Sequence, residues 1–107
     1  MDDTQLLVAI IPAEIKDDVV DILIALESIS GFNLTRIAGY SREHSHFSLR
    51  EQVEGHREMY RFEVLHERAQ EEALIQALGQ VSAVVRPRYW IVPIREQGHL
   101  GDLSPAS

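Results

Sequence analysis

The chain has no cysteine. That absence removes disulfide staples, thiolate metal sites and thiol nucleophiles together, so any metal would have to be held by imidazole and carboxylate. Positive charge is scarce as well: 10 Lys and Arg stand against 17 Asp and Glu, a net charge of −7. Surfaces that follow nucleic-acid phosphates or anionic lipid need clustered cations, so a protein or a cationic species is the expected partner and nucleic acid is not. No apolar run approaches the roughly 18 residues of a spanning helix. The opening stretch, MDDTQLLVAIIPAE, carries acidic residues where a secretory leader needs basic ones. The expectation is a soluble cytoplasmic protein without direct membrane insertion. Catalytic signatures are missing too, with no GxSxG elbow and no Walker loop, and the chain is expected not to be an enzyme.

What is present is enough apolar residue for one core. At 107 residues and 45% hydrophobic content, a single small domain is expected. Leu6 to Ile11 are six consecutive apolar residues stopped by Pro12, too short for a helix and consistent with a strand covered on both faces. From Ala13 the period changes: Ile15, Val19, Ile22, Leu23 and Leu26 recur at helical spacing, with Asp17, Asp18 and Asp21 on the remaining arc. Ser30 and Gly31 end that helix. Phe32 to Tyr40 reads as a strand with ragged alternation, and Glu58 to Leu65 as a clean one, since Tyr60, Phe62 and Val64 alternate with Arg61 and Glu63. A second helix from Glu67 presents Leu74, Ala77, Leu78 and Val81 on one side. Val84 to Ile94 supplies a last β-rich run, with Pro93 placing it at a sheet edge or ending it.

The order is βαββαβ, the ferredoxin-like α+β motif: a four-stranded antiparallel sheet with two helices on one face. That topology places the first and third strands at the centre. The domain is expected over residues 1–97, with residues 98–107, GHLGDLSPAS, as a disordered tail. A sheet covered on one side leaves apolar side chains bare on the other, which predicts association of chains through the open face.

Between the second and third strands lies one long polar stretch, Ser41 to Arg57, SREHSHFSLREQVEGHR, where a hairpin would need about two to five residues. It is the expected working part. His44 and His46 stand two apart, so an extended backbone points both to one side, and His56 closes the stretch beside Glu51 and Glu54. Such a set suits zinc, nickel, cobalt or copper(II); solvated loop histidines are the plainer reading. Arg86, Arg88 and Arg95 could line an anion cleft, serve as edge charges, or pair with Glu residues. Of Tyr89 and Trp90, alternation places one toward the sheet interior, where packing is its expected role.

Several motifs carry a resemblance: IAGYSRE (Ile37 to Glu43), FSLREQVEGHRE (Phe47 to Glu58), YRFEV (Tyr60 to Val64) and YWIVPIRE (Tyr89 to Glu96). With the element order and the long loop, they make the chain resemble the PII superfamily of trimeric signalling proteins, and within it a small PII-like family encoded near heavy-metal efflux pumps. The resemblance implies a homotrimer whose loops, residues 41–57 here, project toward a partner protein, often a membrane transporter. It also implies effectors bound in clefts between neighbouring subunits, an adenine nucleotide in the nucleotide-binding members, beside the divalent metal that the loop histidines would hold. Gly39 and Arg42 match the family's glycine and arginine at the second-strand exit, and Arg88 falls near the family's lysine. Glu43, however, replaces a glutamine, and only Arg95 follows the last strand. A carboxylate at Glu43 repels phosphate unless a cation bridges the two, so the match to the nucleotide-binding members is incomplete. Two further readings stand beside this one: a metal-tolerance protein working through His44, His46 and His56, and a small ferredoxin-like cavity enzyme.

Overall fold

The computed structural model describes residues 3–40, 56–81 and 85–102. Its elements run β1 (Thr4–Pro12), a 3-10 turn (Ala13–Ile15), α1 (Lys16–Ala25), β2 (Phe32–Gly39), β3 (Arg57–Glu67), a 3-10 turn (Arg68–Gln70), α2 (Glu71–Gln80) and β4 (Arg88–Pro93). The sheet is antiparallel in the order β2-β3-β1-β4, so the first and third strands are central. This is the expected βαββαβ arrangement. The strands differ from the sequence reading mainly at their ends. β1 and β3 extend past Leu6 to Ile11 and Glu58 to Leu65 because each pairs along its full length, from Thr4 opposite Glu67 to Pro12 opposite Met59. β4 is shorter than Val84 to Ile94, beginning only where Arg88 meets Ile10.

Residues directly opposite one another in an antiparallel ladder share a face, so the register sorts the sheet into two surfaces. On one, Leu7, Ala9, Ile11, Phe62 and Val64 pack with Val19 and Leu23 of α1 and Leu74 of α2 into the core. Phe32 stacks on Phe62 at 6.2 Å between ring centroids. Both helices therefore cover one side. Their amphipathic spacing decides this: Val19 and Leu23 are four apart, hence on one helical face, and both are buried.

Each helix begins through a 3-10 turn and not directly after its strand. Ahead of α2, Glu67 and Gln70 form a reciprocal cap in which the Glu67 N–H donates to Gln70 Oε1 at 2.8 Å. Gln70 also donates to the carbonyl of Ser28, which ties this helix entry to the turn after α1. Beyond β4, residues 95–102 carry a turn in which the Asp102 N–H donates to the His99 carbonyl at 3.1 Å. Among the described residues no helix is long and apolar enough to cross a membrane.

Candidate functional site

Two regions of this fold can carry function: the end of the sheet from which the long connection departs, and the sheet face opposite α1 and α2. At the first, Gly39 closes β2 opposite Arg57, which opens β3. A Cβ at Gly39 would stand 2.8 Å from Met59 Cγ, so any side chain here must displace that of Met59, while the Arg57 carbonyl at 3.5 Å is in ordinary contact. Tyr40 and His56 then face each other as the strands diverge, with ring centroids 5.8 Å apart.

Charged residues brace this end. The Arg57 guanidinium reaches Glu14 Oε2 at 3.0 Å, linking the start of β3 to the turn before α1, and Arg57 is the more sheltered partner, its side chain 18% exposed. Arg36 pairs with Glu58 across β2 and β3. Lys16 lies 5.2 Å from the centroid of the Tyr60 ring and 3.0 Å from Asp17. Its hydrogen bond to Asp17, with that carboxylate's charge, holds Lys16 above its ordinary 10.5. Exposed pairs of this kind add little stability each, but they fix where the two strands leave the body.

Of the sequence-predicted site residues, Gly39 and His56 lie together at this end. Arg42, Glu43, His44 and His46 fall outside the described residues, as does most of the 41–57 stretch. Among the described residues no group of three or more His, Asp or Glu could hold a metal, so a site using His56 would have to draw on the 41–55 stretch. The arginines separate. Arg88 pairs with Ile10 on the open face, while Arg95 lies seven residues on and is ion-paired to Glu96 at 3.7 Å. At about 3.3 Å per residue β4 carries the chain about 16 Å from Arg88 to Pro93, and Arg95 lies beyond that far end, so Arg88 and Arg95 do not converge within one protomer. Arg86 is exposed ahead of β4.

The open face is built from rows that the ladders define. Leu6 lies between Leu65 and Val92, Val8 between Glu63 and Trp90, and Ile10 between Arg61 and Arg88. Leu65, Trp90 and Val92 remain 37%, 39% and 41% exposed. The expectation that Tyr89 or Trp90 packs inside is corrected here. Tyr89 does point to the helix side opposite Ala9, yet it stays 51% exposed, and Ile91 provides the packing instead. The reason is position: β4 is an edge strand, and its start lies where the helix side is only partly covered.

Sequence reasoning missed two features. The Arg57–Glu14 brace joins residues 43 apart and has no local signal. His66 had one, since it continues the alternation of Tyr60, Phe62 and Val64, and it is buried at 3% exposure.

Comparison with known proteins follows this geometry. No curated protein matches the chain. A crystal structure of a DUF3240 family protein from Shewanella baltica OS155 is 46% identical, with a TM-score of 0.78, covering 94% of this chain and 99% of that one. The structure of Arabidopsis thaliana PII bound to citrate superposes with a TM-score of 0.65 at 12% identity, covering 87% of this chain and 78% of that one. The latter shows a shared PII-like fold. Residues 1–101 match the family described as a protein of unknown function (DUF3240), and with a relative so similar along nearly its whole length, the chain belongs to the DUF3240 family.

Proposed function

We propose that this chain is a trimeric PII-like regulatory protein. Three copies join their open sheet faces, and the 41–57 connection is the arm that a partner protein reads. The observation that carries this reading is the apolar row Leu6, Leu65 and Val92, with Trp90 beside it, on the face opposite α1 and α2. An apolar patch of this kind in water marks an association surface, and the likeness in fold to PII supports a ring of three.

Gly39 and Arg57 stand at one end of the sheet, so a closed ring sends its three arms out from the same end. An effector that contacts the arm in one arrangement only shifts its population, and the partner responds to that arrangement. Gly39, Arg42 and Arg88, with Arg86 ahead of the same strand, are the candidate contacts for a nucleotide or other anion, and Glu43 joins them only through a bridging cation. A divalent metal would use His44, His46 and His56. A metal-efflux pump or another transporter is the partner class that fits.

Sedimentation velocity on the full chain tests the reading. The expected mass is three times 12.1 kDa; a monomer throughout the micromolar range overturns it. Limited proteolysis within residues 41–57, with and without Zn²⁺ or ATP, then tests whether an effector reorders the arm.

A further inference from the structure

At the end of the sheet remote from the 41–57 connection lies a pocket of about 210 Å³, with Thr4, Ser28, Ser30, His66, Glu67 and Gln97 in its walls. It forms because β2 begins only at Phe32, opposite Val64, while β3 runs on to Glu67. The last three residues of β3 therefore pair with β1 on one side and border the pocket on the other.

His66 is the informative residue. Its Nδ1 lies 3.1 Å from the Val64 carbonyl oxygen. A carbonyl only accepts, so Nδ1 is the donor, and in the neutral ring Nε2 is then an acceptor. That Nε2 is buried, and among the described residues it has no hydrogen-bond partner. The same is true of Oε1 of Gln5, the residue directly across the ladder from His66. Buried acceptors without donors are rare because each has given up water for nothing.

The rest of the wall is also rich in acceptors. Glu67 accepts from the Thr4 hydroxyl at 3.3 and 3.4 Å, the Ser28 carbonyl is taken by Gln70, and no Lys or Arg lines the pocket among the described residues. Glu71 and Glu72 follow in the first turn of α2. No positive charge lines the site, and its side-chain N–H donors are the amides of Gln70, which is committed to Ser28, and of the exposed Gln97. Among the described residues no group of three or more His, Asp or Glu could hold a metal ion, and His66 and Glu67 by themselves are only two ligands. A planar guanidinium with five N–H groups can span them.

We propose that this pocket binds a compact cation rich in N–H donors, a guanidinium or primary ammonium group. Glu67 meets the charge, and His66 Nε2 accepts an N–H once the exposed Gln97 swings aside. The site is separate from the trimer reading and does not depend on it.

Long-range ¹H–¹⁵N spectra of the full-length labelled chain test this at constant pH. Methylguanidinium and methylammonium are titrated, with tetramethylammonium as a cation of equal charge and no N–H. The expected result is a saturable upfield movement of His66 Nε2 with an N–H cation, none with tetramethylammonium, and at least tenfold weaker binding in Glu67→Gln. Absence of a saturable movement with both N–H cations overturns the proposal, and so does an equal movement with tetramethylammonium. Unchanged affinity in a folded Glu67→Gln variant does the same. If that variant does not fold, the comparison of the three cations on the unaltered chain decides alone.

Discussion

Val92→Glu separates the folding of a protomer from the joining of protomers. Val92 stands on the edge strand, opposite Leu6, and is 41% exposed in the isolated chain. A glutamate there can lay its stem on Leu6 and keep its carboxylate in water, as long charged side chains do. The protomer should lose about 1 kcal/mol or less, the span of β-propensity differences. In a trimer joined through this face three such carboxylates leave water. Each costs several kcal/mol when fully buried; taking a relaxed figure of about 2 kcal/mol, the ring loses about 6 kcal/mol, or about four decades in its association constant. Sedimentation equilibrium reads the assembly state, and the emission of Trp90, the sole tryptophan, reads burial of the same face two residues away. The expected outcome is a folded monomer with red-shifted emission. A Val92→Glu protein that remains trimeric at micromolar concentration with unshifted emission refutes the assignment of this face.

Other perturbations probe the rest of the fold and the arm. Leu74→Ala empties a position only 1% exposed between the helices and the sheet, and chemical denaturation should show a loss of about 2–5 kcal/mol. Gly39→Ala forces the Met59 side chain, itself only 6% exposed, to move, and should cost about 1–3 kcal/mol; adding Met59→Ala should recover part of that loss, and strict additivity of the two changes would contradict the close approach. Calorimetric titration with Zn²⁺, Cu²⁺ and Ni²⁺ should give saturable binding that His44→Ala/His46→Ala abolishes; unchanged heats in that variant remove the metal reading. For nucleotides, ATP at about 100 times its dissociation constant should add about 2.7 kcal/mol to stability, and no thermal shift at millimolar ATP discards that effector.

The order of elements was legible because it rests on local periods. The switch from the unbroken Leu6 to Ile11 run to the four-residue spacing of Val19 and Leu23 needs no knowledge of the rest of the chain, and the alternation Tyr60, Phe62, Val64 needs only its own strand. Element ends were less legible, since β3 reaches Glu67 only because β1 offers Thr4 as its partner. The interior placement expected for Tyr89 or Trp90 failed on cover and not on parity: alternation does send Tyr89 to the helix side, but no local rule tells how far the helices extend over an edge strand.

Composition and periodicity by themselves determined the βαββαβ order, the helix faces that carry the core and the position of the one long connection, because each depends on residues a few places apart. Only the tertiary structure decided that Arg57 meets Glu14, that Arg88 and Arg95 fall at opposite ends of β4, and that Gln5 and His66 bring to one ladder position two acceptors unpaired among the described residues. Those outcomes follow from tertiary packing and cross-strand register, which bring together residues 43 to 61 positions apart and are set by whole surfaces, to which no short stretch of sequence holds the key.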